Sequence, residues 1–97
     1  MERHRVIMAP RAQNTLLAIT SKDDAQRVAR RLEALSTAPL MGAIYDPDFE
    51  SGKPPYEMRA TYAGHYGIYY TYNATTDEVH VDHIIDSRRD PRTRFQE

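Results

Sequence analysis

Three neighbouring segments near the C-terminal end alternate apolar and polar residues with a period of two. This constrains the fold more than any other feature of the chain. In 56–62, Tyr56, Met58, Ala60 and Tyr62 alternate with Glu57, Arg59 and Thr61. In 66–72, Tyr66, Ile68, Tyr70 and Tyr72 alternate with Gly67, Tyr69 and Thr71. In 79–86, Val79, Val81, His83 and Ile85 alternate with His80, Asp82, Ile84 and Asp86. Successive strand side chains point to opposite faces, so three such segments in a row predict a half-buried antiparallel meander. The links between them, Ala63-Gly64-His65 and Asn73–Glu78, are rich in turn formers. Six of the seven tyrosines lie between 56 and 72. Tyrosine joins a large apolar body to a polar tip, which suits a sheet with one dry side.

The N-terminal part reads differently. His4–Met8 is a short β-branched strand, and Ala9-Pro10 ends it, because proline lacks an N–H and fits the first turn of a helix. A short helix over 10–20 carries Ala12, Leu16, Leu17 and Ile19. A second helix follows almost at once. Ser21 caps it, Asp24 stands where a capping box has Glu, and Asp23 and Asp24 place negative charge at the positive end of the helix dipole. Ala25, Val28, Ala29, Leu32 and Leu35 recur at helical spacing, with Arg27, Arg30, Arg31 and Glu33 opposite as a solvated face. The helix must end before Pro39. Residues 39–55 hold four of the six prolines and two of the four glycines, and predict a long loop with a turn of helix near Met41–Tyr45.

With 97 residues the chain makes one domain spanning 1–97. The expected class is α+β, in the order β-α-α-β-β-β. A helical hairpin packs on one face of a four-stranded, mainly antiparallel sheet. Tyr56, Met58, Tyr66, Ile68, Tyr70, Val79, Val81 and Ile85 are expected to meet the helices. Glu57, Arg59, Thr61, Tyr69, Thr71, His80, Asp82 and Asp86 are expected on the open side.

The chemistry available is narrow. There is no cysteine, hence no disulfide and no thiolate metal site. His80 and His83 fall on opposite faces of a regular strand, so neither metal nor cofactor is expected. No serine sits in a nucleophile elbow, and no glycine-rich phosphate loop is present. A net charge of −1 excludes a strongly basic nucleic-acid coater and an acidic disordered tail. No apolar run approaches a membrane span, and no signal-peptide pattern opens the chain, so a cytoplasmic protein is expected. One polar set is suggestive: Arg59, Tyr69, His80, Arg88 and Arg89, expected together on the open face. Arginine forks pair with phosphate, and an exposed tyrosine stacks on a base. Cleavage of RNA by its own 2′-hydroxyl also needs a base and an acid. Arginine rarely serves as the base, so His80 or Tyr69 would have to help. The last eleven residues add Arg92 and Arg94 and a local charge of +2.

Three stretches carry a resemblance. VIMAPRAQNTLLAI followed by AQRVARRLEALSTAPLMG ends in Leu35, Pro39 and Gly42 as Leu-x-x-x-Pro-x-x-Gly. YEMRATYAGHYGIYYTY forms a strand–turn–strand. EVHVDHIIDSRRDP ends in an arginine-rich segment. Their order and spacing, from Val6 to about Arg92, resemble the RelE/ParE superfamily of toxins from bacterial type II toxin–antitoxin systems. The resemblance implies a protein antitoxin as partner. It also implies growth inhibition, first by ribosome-dependent mRNA cleavage as an mRNA interferase (an endoribonuclease), with poisoning of DNA gyrase as the alternative. A non-catalytic antitoxin-binding co-repressor is the further alternative. In the mRNA reading Arg59, Tyr69, His80 and Arg88 are the catalytic candidates, and Arg59, Arg88, Arg89 and Arg92 the RNA-binding ones. Arg59 and Arg88 match basic positions of the family. Glu57 and Gly67 stand where basic residues are common, and Asp86-Ser87 replaces the usual pair before the arginine.

Overall fold

The computed structural model describes residues 3–45 and 57–88. The elements run β1 (Arg5–Met8), α1 (Pro10–Ala18), α2 (Lys22–Leu35), β2 (Ala43–Ile44), β3 (Arg59–Ala63), β4 (Tyr66–Asn73) and β5 (Glu78–Asp86). The fold is α+β as expected. The strands form one sheet in the order β1-β5-β4-β3-β2, with β1 parallel to β5 and the other pairs antiparallel.

Local chemistry explains the boundaries. Pro10 opens α1 after the extended Ala9. The Asp24 N–H donates to Ser21 Oγ at 3.3 Å, so the expected cap on α2 forms. At the other end the hydroxyls of Ser36 and Thr37 donate to the Glu33 and Ala34 carbonyls, at 2.6 and 3.1 Å, and tie off the last turn. Val28 and Leu35 of α2 and Ala12 of α1 are fully buried. They pack on Ile68, Tyr70, Val79, Val81 and Ile84 of the sheet. In the β4–β5 turn, Asn73 Oδ1 accepts the N–H groups of Thr75 and Thr76. Asp77 there has φ +60 and accepts the Tyr72 hydroxyl at 2.8 Å and also pairs with the His4 ring, joining the start of β1 to this turn. Those two bonds hold the Asp77 carboxyl below its ordinary range, and the same contact raises the Tyr72 hydroxyl.

Several expectations are corrected. The expected helical turn near Met41–Tyr45 is instead the two-residue strand β2, which makes the sheet five-stranded. The Tyr45 N–H continues its pairing by donating to the Met58 carbonyl at 2.9 Å. The ladder between β4 and β5 is irregular at Tyr69/Tyr70. Tyr69 faces His83 and Tyr70 faces Val81, so Asp82 is one residue too many on β5. Beyond that bulge the faces exchange: Ile84 meets the helices, and Ile85 lies on the far side. Met58 and Ala60 also lie on the far side, in a second apolar cluster with Tyr69 and Ile85, against which Tyr45 packs. Arg59 and Thr61, opposite Tyr70 and Ile68, therefore stand on the helix side. Tyr66, Ile68, Tyr70, Val79 and Val81 face the helices as expected. Tyr56 lies outside the described residues.

Gly42 shows how closely β2 is clamped. A Cβ there would come within 2.7 Å of the Ala60 carbonyl oxygen and 2.8 Å of the Tyr70 hydroxyl. Its N–H donates to that hydroxyl at 2.9 Å. Tyr70→Phe leaves this buried N–H without its partner and should lower the unfolding free energy by about 1–3 kcal/mol. Urea denaturation should show a lower midpoint with an unchanged slope.

Candidate functional site

Arg59 begins β3 beside β2. Its Nη1 donates to the Gly42 carbonyl at 2.7 Å. The same glycine's N–H is held by Tyr70, so Arg59, Gly42 and Tyr70 form one clasp between β2 and the sheet. Burial raises the Tyr70 hydroxyl above its ordinary value, and the bond from Gly42 and the charge of Arg59 oppose this.

Tyr69 is only 1% exposed. Its ring meets Tyr45 and Tyr62 edge to face, with centroids 5.0 and 6.4 Å apart. It also lies over Gly67, where a Cβ would come within 2.8 Å of the ring. The ring that the sequence offers for stacking on a base is packed inside the far-side cluster. Gly67, where the family resemblance leads one to expect arginine, is the residue that makes room for it.

His80 lies on the far side of β5, opposite Thr71, with Nε2 3.1 Å from the Glu78 carboxylate. Arg88 follows the other end of β5. Its Nε reaches both oxygens of Asp86, at 2.9 and 3.0 Å, and its backbone N–H donates to the same carboxylate at 2.9 Å. Those bonds hold the Asp86 carboxyl down at about 2 and raise the Arg88 guanidinium. His80 and Asp86 are six residues apart on one strand, roughly 20 Å at 3.3 Å per residue. The structure thus does not gather Arg59, Tyr69, His80 and Arg88 on one open face: Arg59 stands on the helix side, Tyr69 is buried, and Arg88 lies past the opposite end of β5 from His80. Arg89 and Arg92 lie outside the described residues.

A different polar group does come together at the Arg88 end. His65, in the β3–β4 turn, has Nε2 3.8 Å from Asp24 of α2 and 4.0 Å from Asp86 of β5. That nitrogen is buried and has no hydrogen-bond partner among the described residues. The His65 ring tilts against Tyr66 with centroids 4.5 Å apart. The His65 imidazole thus lies between two carboxylates, at the end of β5 where Asp86 also pairs with Arg88. Sequence reasoning missed it because its members come from three elements and none belongs to a local motif. The one available signal was that Asp24 and His65 both border turns facing the end of the last strand. No group of three or more His, Asp or Glu suited to a metal occurs among the described residues. None of the described helices is long and apolar enough to cross a membrane.

The chain's backbone superposes on a chain of the crystal structure of the archaeal RelE–RelB complex from Pyrococcus horikoshii OT3. The TM-score is 0.70, over 91% of this chain and 99% of that one, at 13% identity. The fold is RelE-like. No protein-family model matches the sequence, and no curated protein matches it. At this identity the likeness lies in the arrangement of the two helices and the sheet. Individual side chains have to be read from this RelE-like chain itself.

The Asp86–Arg88 pair makes a direct prediction. A carboxyl held below its unfolded value stabilises the fold above that value, and the contribution disappears as the pH falls toward the folded one. The pair's contribution should therefore be complete above about pH 4 and be lost on acidification toward pH 2. NMR titration should place the Asp86 midpoint near 2 in the native chain. In Arg88→Ala it should rise toward the ordinary carboxylate range.

Proposed function

We propose that this RelE-like chain is the toxin subunit of a type II toxin–antitoxin pair, acting in the cytoplasm and restrained by a cognate antitoxin. The observation that carries the reading is the agreement of fold over nearly the whole of both chains with a protein crystallised as RelE–RelB. The order of the sequence motifs supports it independently.

The chain also offers a groove suited to such a partner. Val6 and Met8 of β1, Leu16 and Leu17 of α1 and Leu32 of α2 line a cavity of about 440 Å³. Leu17 is 75% exposed there. Arg3 and Glu33, which pair with each other, edge the groove. An amphipathic segment that becomes ordered on binding can cover an apolar groove of this kind. Strand β1 is also an edge of the sheet, with no further strand beside it among the described residues.

Two modes of growth inhibition fit this framework. Cleavage of mRNA on the ribosome follows from the motif resemblance, with Arg59 and Arg88 on phosphate and His80 or Tyr69 assisting. Inhibition by binding alone, on gyrase, is favoured by one specific observation, which suits equally a co-repressor subunit that leaves growth unchanged. Arg59 is engaged by Gly42, Tyr69 is buried, His80 is paired with Glu78, and Arg88 is neutralised by Asp86. A site for RNA cleavage needs its acid, base and cation around one phosphate. Among the described residues the four candidates do not surround one point: Arg59 stands on the helix side and Arg88 lies past the opposite end of β5 from His80.

Induction of the chain alone in a bacterial host should arrest growth, and co-expression of the antitoxin should relieve the arrest. Unchanged growth on induction would remove the toxin reading. In cell-free translation, mapping of message 5′ ends should show no new cuts under the binding mode. New cuts that disappear in Arg88→Ala would instead establish the nuclease mode.

A further inference from the structure

Arg27, Arg30 and Arg31 of α2, which as sequence read as a plain solvated helix face, border a concavity of about 300 Å³. Its remaining lining is small: Ala34 of the same helix, Ala63 of β3 and Gly64 of the following turn. The spacing explains the shape. Residues 27, 30, 31 and 34 follow i, i+3, i+4, i+7, so three guanidinium-bearing side chains and one methyl share a stripe. The methyl of Ala34 leaves the stripe hollow where a longer residue would fill it. Gly64, at φ +62, turns the chain back into β4 and closes the far side of the hollow without a side chain.

The charges in this hollow are largely uncommitted. Arg27 has a carboxylate in reach, Asp24, at a loose 4.0 Å. Among the described residues no ion pair or hydrogen bond engages the side chains of Arg30 or Arg31. Arg30 is exposed and Arg31 half-buried. In a chain of net charge −1, three adjacent arginines around a small-residue floor form a local positive site rather than part of a basic surface.

We infer that this α2 hollow binds a short run of phosphate groups on a single nucleic-acid strand, independently of the target assigned above. Three features select this occupant. The cations are all arginine, whose planar fork matches phosphate oxygens two at a time. They repeat along one helix stripe, so they can follow successive groups on a strand. The floor offers too little apolar area for a protein interface, whose core must be desolvated and well packed. The groove lined by Leu16, Leu17 and Leu32 presents large apolar side chains, whereas the arginine hollow presents three guanidinium groups around methyl-sized residues. Contacts to the backbone alone carry no sequence information, so binding here is indifferent to base order.

The test is fluorescence anisotropy of the full chain with a short mixed-sequence single-stranded RNA, titrated across a series of potassium chloride concentrations. Each phosphate contact on a single strand adds about 0.7 to the slope of log K against log salt. The Arg30→Ala/Arg31→Ala variant should therefore lose roughly 1.4 of that slope, with weaker binding to every sequence tried. Arg30→Lys/Arg31→Lys keeps the charge and should keep most of the slope while losing affinity. Single-stranded DNA of the same sequence should bind about as well as the RNA. Arg30→Ala alone, at an exposed position, serves if the double variant fails to fold, and should lose about half as much slope. Absence of RNA binding by the unaltered chain at low salt would overturn the inference. So would a slope that survives in the alanine variants, which would place the contact at other cations of the chain. Binding of polyglutamate as tight as that of RNA would overturn it in favour of an acidic protein partner.

Discussion

The pairing of β4 with β5 is the constraint on which the rest of the molecule depends. These two longest strands form the middle of the sheet, and every other strand takes its place from them. β1 joins β5 in parallel, which is open to it because two helices intervene between the strands. β3 joins β4 through the tight Gly64 turn. The extra residue at Asp82 then decides which side chains are dry. Without it, the side chains of β5 would keep one parity from Glu78 to Asp86. With it, Val79, Val81 and Ile84 all reach the helices, and Ile85 joins Tyr69, Met58 and Ala60 on the other side.

A sheet with an apolar cluster on each face leaves little room for an open catalytic surface. Polar chemistry is pushed to the rims. At the rim near β2, Arg59 is used to clasp Gly42. At the end of β5, Arg88, Asp86, His65 and Asp24 meet where three elements converge. Along the outer stripe of α2, Arg27, Arg30 and Arg31 face a hollow with a small-residue floor. The apolar groove lies between α1, α2 and β1. The surface is therefore divided between a dry groove lined by large apolar residues and charged rims, of which the α2 stripe holds arginines with no close carboxylate pair. Under the proposed toxin reading, a partner in the groove and a target at the rims compete only where their footprints overlap.

Much of this fold was legible in the residues, for definite reasons. Ser21 and Asp24 announce the start of α2, and both behave as a cap should. Pro10 opens α1. The alternation in 66–72 places Ile68 and Tyr70 inside correctly. The misplacements share one cause. Period two tells which residues share a face; it does not say which face meets the helices, nor that a bulge has reversed the count. Met58 and Ala60 were correctly grouped but belong to the far side. His83, Ile84 and Ile85 were misread because Asp82 shifts their parity, and the adjacent Ile84-Ile85 was the local sign that the alternation fails there. β2 escaped notice because two residues among prolines and glycines carry no periodicity; its position follows from Tyr70 and Arg59 reaching Gly42, contacts that are remote in sequence.

The candidate site was less legible than the fold, and the difference follows from what each depends on. A fold of this kind needs only the right pattern of apolar positions, and many sequences supply it, which is consistent with a TM-score of 0.70 at 13% identity. A site needs particular side chains left free of internal partners and aimed at one point. In this chain the motif-matched residues Arg59 and Arg88 are spent on the Gly42 carbonyl and the Asp86 carboxylate. Among the described residues, Arg30 and Arg31, which have no assigned role in the motif, carry no side-chain ion pair or hydrogen bond, and Arg11 on α1 shares that state. An arginine whose fork is already filled must give up those bonds before it can bind phosphate, whereas one facing water gives up only hydration. On that ground the protein gives up less to bind a phosphate at the α2 hollow than at Arg59 or Arg88, the described positions that the family pattern marks.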